Sequence, residues 1–201
     1  MKEMNKNMAR RGIDISAHQG DINLSALKNQ IDFVIIRVGY GVSGTIDTKF
    51  KRNTDLCVEL GIPFGFYWYS YALDESGAKK EAEACINAIA PYKDKYSMGI
   101  WFDMEDADGY KDRNGFTDRQ ELTDCVNVFV NHMAEKGYRC GLYSNYDWLT
   151  NVLYMEQIDC DVWCAQYNYE CDYPNAAIWQ YSDCEKINGQ SFDADETIDF
   201  E

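Results

Sequence analysis

The sequence predicts an α/β protein, a TIM-like (β/α) barrel of eight strands with its last helices missing or reduced. Strand and helix patterns alternate through the first two thirds of the chain, which is typical of a parallel sheet with helices packed on it. The last third is rich in strand patterns, and its connections are short, polar and poorly helical. The 201 residues fall short of the roughly 250 of a full barrel, which fits a barrel without its last helices.

Eight stretches carry strand signals. Residues 31–38 are nearly all apolar and mostly β-branched, the pattern of a strand covered on both faces in a parallel sheet. Residues 64–71 are crowded with aromatic side chains, and residues 99–106 are an apolar run that ends in acid. Eight strands suggest closure into a barrel. The other predicted strands begin near Gly12, Arg139, Asp161, Ala176 and Thr197.

Three helices are predicted between these strands. The first covers residues 47–60, and the second covers residues 74–90, where Pro91 ends it. The third begins at Thr117, which has capping-box spacing with Gln120, and it runs to Gly137. Its apolar stripe consists of Leu122, Val126, Phe129 and Met133.

Charge and composition exclude several classes of function. The formal net charge of -15 argues against nucleic acid or an anionic membrane as a partner, because both need a basic face. No apolar run is long enough to span a bilayer, so we expect no membrane insertion. Residues 1–11 form a polar, basic tail without the apolar core of a signal peptide. We expect residues 12–201 to form a single barrel domain, and the protein to be a monomer.

The eight cysteines do not have zinc-site spacing, and only two histidines are available as further ligands. We therefore expect no metal and no cofactor. The cysteines on the predicted helices have apolar neighbours and could be buried free thiols or form disulfides. If the protein works outside the cell, we expect some cysteines to pair, with Cys160 bonded to Cys164 or Cys171.

Asp103 and Glu105 end the fourth predicted strand, two positions apart and therefore on one face. Their like charges and burial beside Trp101 and Phe102 would raise the pKa of one member, leaving one protonated and one ionised carboxyl group near neutral pH. Acid-assisted cleavage of a glycosidic bond needs such a pair. The alternative is that these acids cap a following helix or bind a cation. In a barrel, Asp14 and Asp199 from other strands would converge on the same rim.

The chain from Gly12 onwards resembles the family 25 glycoside hydrolases, the N-acetylmuramidase type of lysozyme. Each matching piece is weak alone, but their order and spacing are specific. The pieces are Gly12-Ile-Asp-Ile-Ser16 with Gln19-Gly20, Phe33-Val-Ile-Ile-Arg37, Gly65-Phe-Tyr67, Phe102-Asp-Met-Glu105, Leu142-Tyr-Ser144, Trp163-Cys-Ala165, Ile178-Trp-Gln-Tyr-Ser182 and Ile198-Asp199.

The resemblance implies a peptidoglycan hydrolase that cuts between N-acetylmuramic acid and N-acetylglucosamine, acting outside the cell or at the cell wall, either secreted or released as a phage-type endolysin. Glu105 would be the general acid and Asp103 would orient or stabilise the reacting sugar. Asp14 and Asp199 would complete the acidic rim. Either the C2 acetamido group of the substrate or a water molecule would attack the anomeric carbon. The groove would be lined by Tyr67, Tyr69, Tyr143, Trp163 and Gln180.

Two positions depart from the family pattern. Trp68 stands where the family often has His, and we expect altered contacts at that part of the rim. The usual Asp-x-Asn ending appears as Asp199-Phe-Glu201, with a carboxylate in place of an amide.

A chitinase-like barrel would need an Asp where Trp101 stands. A non-catalytic glycan-binding module is the alternative function, and intact Glu105 argues against it. A structural or partner-binding domain would not need acids from separate strands.

Overall fold

The computed structural model describes residues 9–198 and residue 200. One sheet closes on itself, because β1 (Arg11–Ile15) pairs with β2 (Phe33–Tyr40) on one side and with β9 (Gln190–Thr197) on the other. The predicted eight-stranded barrel is confirmed, and β3 (Thr45–Ile46) only extends one end of β2. The strands between β2 and β9 around the ring are β4 (Phe64–Tyr69), β5 (Ile100–Asp103), β6 (Cys140–Asn145), β7 (Val162–Ala165) and β8 (Ile178–Ile187).

Neighbouring barrel strands from β1 through β8 run parallel, whereas β9 runs antiparallel to both β8 and β1. A last strand at residues 197–200 was the expectation, and it is wrong, since β9 ends at Thr197. Asn188 and Gly189 connect β8 to β9 with positive φ angles of 52° and 82°, the geometry of a two-residue hairpin turn. This turn reverses the chain, so the last strand enters the barrel from the opposite end.

The helices pack around the outside of the barrel in the first two thirds of the chain. After them, the only helical elements in the described residues are a π-helical turn (Trp148–Val152) and a 3-10 turn (Met155–Gln157), so the reduced last helices are confirmed. The α-helices in the described part of the chain are α1 (Leu24–Leu27), α2 (Phe50–Leu60), α3 (Glu75–Ile89), α4 (Tyr110–Arg113) and α5 (Arg119–Glu135).

Helix α5 begins one residue later than the capping-box pattern predicts. The cap is Asp118, whose carboxylate accepts hydrogen bonds from the backbone N–H groups of Gln120 and Glu121. The predicted cap, Thr117, is wrong because a carboxylate one position later satisfies two of the free N–H groups at once. The predicted apolar stripe of α5 is buried, and its Phe129 stacks on Phe102 of β5 at 4.0 Å between ring centroids.

The barrel interior is filled by large side chains at alternate strand positions, including Phe33, Trp101 and Trp163. Gly12 and Gly141 make room for two of these rings. A Cβ atom on Gly12 would lie 2.4 Å from the Phe33 ring, and one on Gly141 would lie 2.5 Å from the Trp101 ring. The opposite faces of the strands pack against the helices in a second, larger core.

All eight cysteines are free thiols, so the predicted bond from Cys160 to Cys164 or Cys171 is not formed. The extended strand β7 separates Cys160 from Cys164, and four residues of extended chain span about 13 Å, too far for a disulfide. Among the described residues, no helix combines the length and the apolar character needed to cross a bilayer.

Candidate active site

The C-terminal ends of the parallel strands surround a cavity of about 240 Å³. It brings together eight of the nine site residues that the sequence predicts, and the ninth, Asp199, lies outside the described residues. Sequence reasoning did not assign site roles to His18, Arg37, Tyr167 and Asp193, which also line the cavity. The eight are Asp14, Tyr67, Tyr69, Asp103, Glu105, Tyr143, Trp163 and Gln180.

Two carboxyl groups lie at the end of β5. Asp103 is the last residue of the strand and is only 4% exposed, while Glu105 is half-buried two residues later. Burial raises the pKa of both groups, and the charge of Glu105 raises the pKa of Asp103 further. Within the described residues, the Oδ1 atom of Asp103 has no hydrogen-bond partner. The pair therefore tends to retain a proton above the usual pH range of a carboxylic acid.

Asn145, at the end of β6, binds Glu105 from the other side. Its side chain hydrogen-bonds to the Glu105 carboxyl group and so counteracts part of the rise in pKa caused by burial. The backbone N–H of Trp148 donates to Asn145 Oδ1 at 3.0 Å, which leaves the amide NH₂ to donate to Glu105. Asn145 was missed because a single asparagine after a strand carries no distinctive sequence signal.

Gln180 of β8 links Asp14 of β1 to two tyrosines. Its Nε2 donates to Asp14 Oδ2 at 2.6 Å, and its Oε1 accepts the hydroxyl protons of Tyr143 and Tyr167, each at 3.0 Å. Every polar atom of the amide is thereby oriented. Burial, followed by the charges of Asp195 and Asp193, raises the pKa of Asp14.

The last strand contributes Asp193 to the rim. Asp193 pairs with Asp14 in the β1–β9 register, and burial together with the charge of Asp183 raises its pKa to about 6. The end of β9 lies at the other end of the barrel, where Ile198 N–H donates to Ala177 O. The signal for Asp193 was the Asn-Gly turn, followed by acids alternating with apolar residues along the next strand.

Aromatic side chains form the walls of the cavity. The Trp163 ring lies 4.5 Å from Tyr143 and 6.2 Å from Tyr67 between centroids, and its Nε1 donates to the buried Asp195 at 2.9 Å. Trp68 is fully buried in the core that faces the helices. The expectation that the Trp68 departure would alter the rim is therefore wrong, because neighbouring positions on a strand face opposite sides of the sheet.

A second cavity, of about 460 Å³, adjoins the first and shares His18, Arg37 and Tyr69 with it. Tyr40, Tyr71 and Asp108 complete its lining. Two nitrogens of Arg37 bind Asp47 Oδ2, each at 2.8 Å, which fixes the guanidinium group in the wall. The two cavities form an open groove of aromatic and polar side chains. No group of three His, Cys, Asp or Glu side chains within the described ranges could hold a metal ion.

Known proteins share this sequence pattern and this fold. The model of glycosyl hydrolases family 25 matches residues 13–190. An autolytic lysozyme of Clostridium acetobutylicum is 28% identical over 188 residues, which cover 92% of this chain and 54% of that protein. The modular autolysin LytC of Streptococcus pneumoniae, solved with a synthetic peptidoglycan ligand, is 29% identical with a TM-score of 0.83, over 94% of this chain and 46% of that one.

A family 25 glycosyl hydrolase of Bacillus anthracis shares the fold, with a TM-score of 0.81 at 21% identity, over 94% of this chain and 88% of that one. The chain spans about half the length of the clostridial relative and of the pneumococcal autolysin. Since the family model matches well over half of the sequence, the chain belongs to glycosyl hydrolase family 25.

Proposed function

We propose that this chain is a lysozyme of the N-acetylmuramidase type. It hydrolyses the β-1,4 bond between N-acetylmuramic acid and N-acetylglucosamine in bacterial peptidoglycan. Glu105 is the general acid, and ionised Asp103 and Asp14 stabilise the reacting sugar. Asp193 takes the place on the rim that the family resemblance gave to Asp199. The protein acts as a monomer, outside the cell or at the cell wall.

The carboxyl pair at the end of β5 is the observation that carries this proposal. Asp103 is almost fully buried at the base of the cavity, whereas Glu105 is half-buried and has Asn145 as a hydrogen-bond partner. The more accessible Glu105 is the better placed to reach a leaving oxygen. The deeper Asp103 is better placed to face the sugar ring that remains.

The proton inventory of the reaction is simple. Glu105 donates its proton to the glycosidic oxygen as the bond to the anomeric carbon breaks, and nearby carboxylates stabilise the positive charge on the sugar. Water then supplies a hydroxyl group to the anomeric carbon, and the remaining proton of that water molecule returns to Glu105. The net reaction adds one water across one glycosidic bond.

Three further observations support peptidoglycan as the substrate. The clostridial relative is named as an autolytic lysozyme, and the pneumococcal relative was solved with a peptidoglycan ligand. The groove is open and lined with tyrosine and tryptophan rings, on which sugars can stack. The net charge of -15 disfavours nucleic acid, an anionic polymer, as the substrate.

End-group analysis of digested peptidoglycan tests the activity and the bond together. We expect new reducing ends at N-acetylmuramic acid, and the Glu105→Gln variant should release them ~10² to 10⁴ times more slowly, which is the usual contribution of a general acid. This variant keeps the size of the side chain, so its affinity for glycan and its melting temperature should hardly change.

Three results would contradict the proposal. Reducing N-acetylglucosamine as the only new end would make the protein a glucosaminidase. Glycan binding without any new reducing end would make it a binding module. Near-normal activity of Glu105→Gln would remove Glu105 from the role of acid.

A further inference from the structure

Lys111 is a buried lysine that lies behind the carboxyl pair, outside the lining of the cavity. It belongs to the short helix α4 and is 2% exposed, which makes it one of the largest fully buried side chains. Burying an ammonium group is costly unless its protons are hydrogen-bonded and its charge is matched. Two backbone oxygens accept hydrogen bonds from the Lys111 ammonium group, and the charges of nearby carboxyl groups favour its protonated form.

The ammonium group of Lys111 joins the ends of two neighbouring strands. Its Nζ donates to the backbone oxygen of Ser70, directly after β4, at 2.6 Å. It also donates to the backbone oxygen of Glu105, after β5, at 2.8 Å. A single side chain therefore fixes the peptide group of the residue proposed as the general acid.

This bond completes a series that holds the backbone from residue 103 to residue 105. Asp103 O accepts the Ser70 N–H at 3.0 Å, and Met104 O accepts the Ser144 hydroxyl at 2.6 Å. Glu105 O accepts Lys111. Three consecutive carbonyl groups thus each have a donor, and only the third donor is charged.

Helix α4 is tied to the same segment. The carboxylate of Asp106, the residue after Glu105, accepts hydrogen bonds from the backbone N–H of Lys111 at 2.7 Å and from the backbone N–H of Asp112 at 3.0 Å. The chain that carries Lys111 therefore folds back onto the end of β5. The hydrogen bonds to Asp106 hold the backbone of α4 in place, and the Lys111 side chain extends from it towards Glu105.

Several charges surround Lys111 and the carboxyl pair. Lys111 lowers the pKa of both Asp103 and Glu105, opposing the effect of burial. The carboxyl groups that face Lys111 are Asp103, Glu81, Asp106 and Glu105. The pair is also faced by Arg37, Asp108, Asp14, Tyr69, Tyr143 and Tyr167.

We infer that Lys111 is a positioning residue, which fixes the backbone of Glu105 and supplies the buried positive charge that allows Asp103 to ionise beside it. This inference rests on the proposed function. Lys111 does not touch the substrate, because it does not line either cavity of the groove. Its loss changes turnover and the pH dependence of turnover while substrate binding is retained.

The first test is Lys111→Met, assayed on soluble peptidoglycan chains. Without the positive charge, the pKa values of Asp103 and Glu105 rise, so both limbs of the pH–activity profile should move to higher pH by about one pH unit. We expect kcat to fall at least ~10-fold, as for other displaced catalytic groups, and KM to stay within about twofold. Lys111→Gln keeps a donor without the charge, so it should show the same shift in pH with a smaller loss of kcat.

Lys28→Met is the matched control. Lys28 Nζ also donates to a backbone oxygen, that of Leu60 at 2.6 Å, but this bond is exposed and remote from the cavity. The control makes the same change in net charge and should keep the wild-type profile. Two results would overturn the inference. One is a folded Lys111→Met enzyme whose pH–activity profile has both limbs at the wild-type pH. The other is a fall in kcat that only matches the fall in the fraction of folded protein.

Lys111→Met alone can fail to fold, because it leaves Glu81 buried without its cation. The double variant Glu81→Gln with Lys111→Met removes both charges, and its two limbs are compared with those of Glu81→Gln alone, because Glu81 itself raises the pKa of Asp103. The wild-type protein provides a readout without any variant or substrate. Nitrogen-15 NMR should show slowly exchanging Lys111 ammonium protons from pH 5 to 8, and exchange as fast as that of surface lysines would overturn the inference.

The activity of the wild-type chain is established first by end-group analysis. Failure of the proposed function would therefore appear there, before any lysine variant is made. An active wild-type enzyme whose Lys111 variants keep the wild-type limbs would overturn only the role of Lys111.

Discussion

Asp103 and Glu105 act as one titrating unit because each carboxyl group affects the other. The charge of Glu105 raises the pKa of Asp103, and a Coulomb interaction is reciprocal, so the charge of Asp103 raises the pKa of Glu105 by the same energy. Burial is the larger cause for both groups. The mutual contribution can therefore be removed by a neutral neighbour while the contribution of burial remains.

The variant Asp103→Asn isolates this mutual contribution. Glu105 loses the repulsion that helps to keep it protonated, so the alkaline limb of the kcat/KM profile should move to lower pH, opposite to the direction expected for Lys111→Met. Turnover should also fall, because a carboxylate that stabilises the sugar is lost. The measurement is the pH dependence of the release of reducing ends.

Asp94→Asn makes the same chemical change at an exposed position before β5 and should leave the profile in place. If the alkaline limb of Asp103→Asn also stays in place, burial alone raises the pKa of Glu105.

The residues of the site could be predicted where they end an apolar strand. Asp14, Asp103 and Gln180 follow runs that are recognisable from composition, and barrel topology then brings them together. Lys111 and Asn145 could not be predicted in the same way. Their contacts with Glu105 depend on how the loops return over the strand ends, and no periodic pattern records that path.

Among the elements, the parallel strands were predicted most accurately and the hairpin least. Strands β2 and β4 are buried on both faces, so hydrophobic runs reveal them. The outer part of β8 is mostly polar and exposed, and β9 alternates apolar with polar residues only from Phe192 to Asp195, so neither has such a run. The two-residue Asn188-Gly189 turn was the available signal, since both positions adopt positive φ and Asn-Gly favours that conformation.

The start of α5 offers a test of how a helix boundary is chosen. Asp118→Ala removes the acceptor of two backbone N–H groups at an exposed helix end, and it should cost about 1 kcal/mol of unfolding free energy. This corresponds to a fall in melting temperature of roughly 2 to 4 °C for a domain of this size.

The neighbouring variant Thr117→Ala is the matched control, because Thr117 is exposed and does not cap the helix. It should leave the melting temperature nearly unchanged. Equal losses in the two variants would mean that Thr117 contributes to the cap in solution. Calorimetry or the far-ultraviolet circular dichroism of both proteins is sufficient.

At the scale of the whole molecule, the protein buries several acids, three on barrel strands and one on helix α3. Asp14, Asp103, Glu81 and Asp195 are all buried, and burial raises the pKa of each one. The chain as a whole has 34 acidic residues against 19 lysines and arginines, so the surface does not compensate for this excess. Bound protons therefore neutralise part of the interior charge in addition to the buried Lys111, which links stability to pH.

The direction of this linkage follows from the raised pKa values. A carboxyl group with a higher pKa in the folded state binds more protons when folded, so its contribution to stability is present below its unfolded pKa and is lost as pH rises through its folded pKa. For Glu81 the window runs from its ordinary value of 4.5 to about 7. The free energy of unfolding should fall by roughly 3 kcal/mol from Glu81 alone between pH 4.5 and 8.

We therefore expect this protein to be more stable at mildly acidic pH than at pH 8, by roughly 6 to 12 °C in melting temperature from Glu81 alone. Calorimetry between pH 4.5 and 8 should be performed in high salt, because salt screens the repulsion among surface acids but not the cost of ionising a buried one. Glu81→Gln keeps an acceptor for the Tyr71 N–H and cannot ionise, so its melting temperature should depend much less on pH. An equally steep pH dependence in Glu81→Gln would show that the linkage arises elsewhere in the barrel.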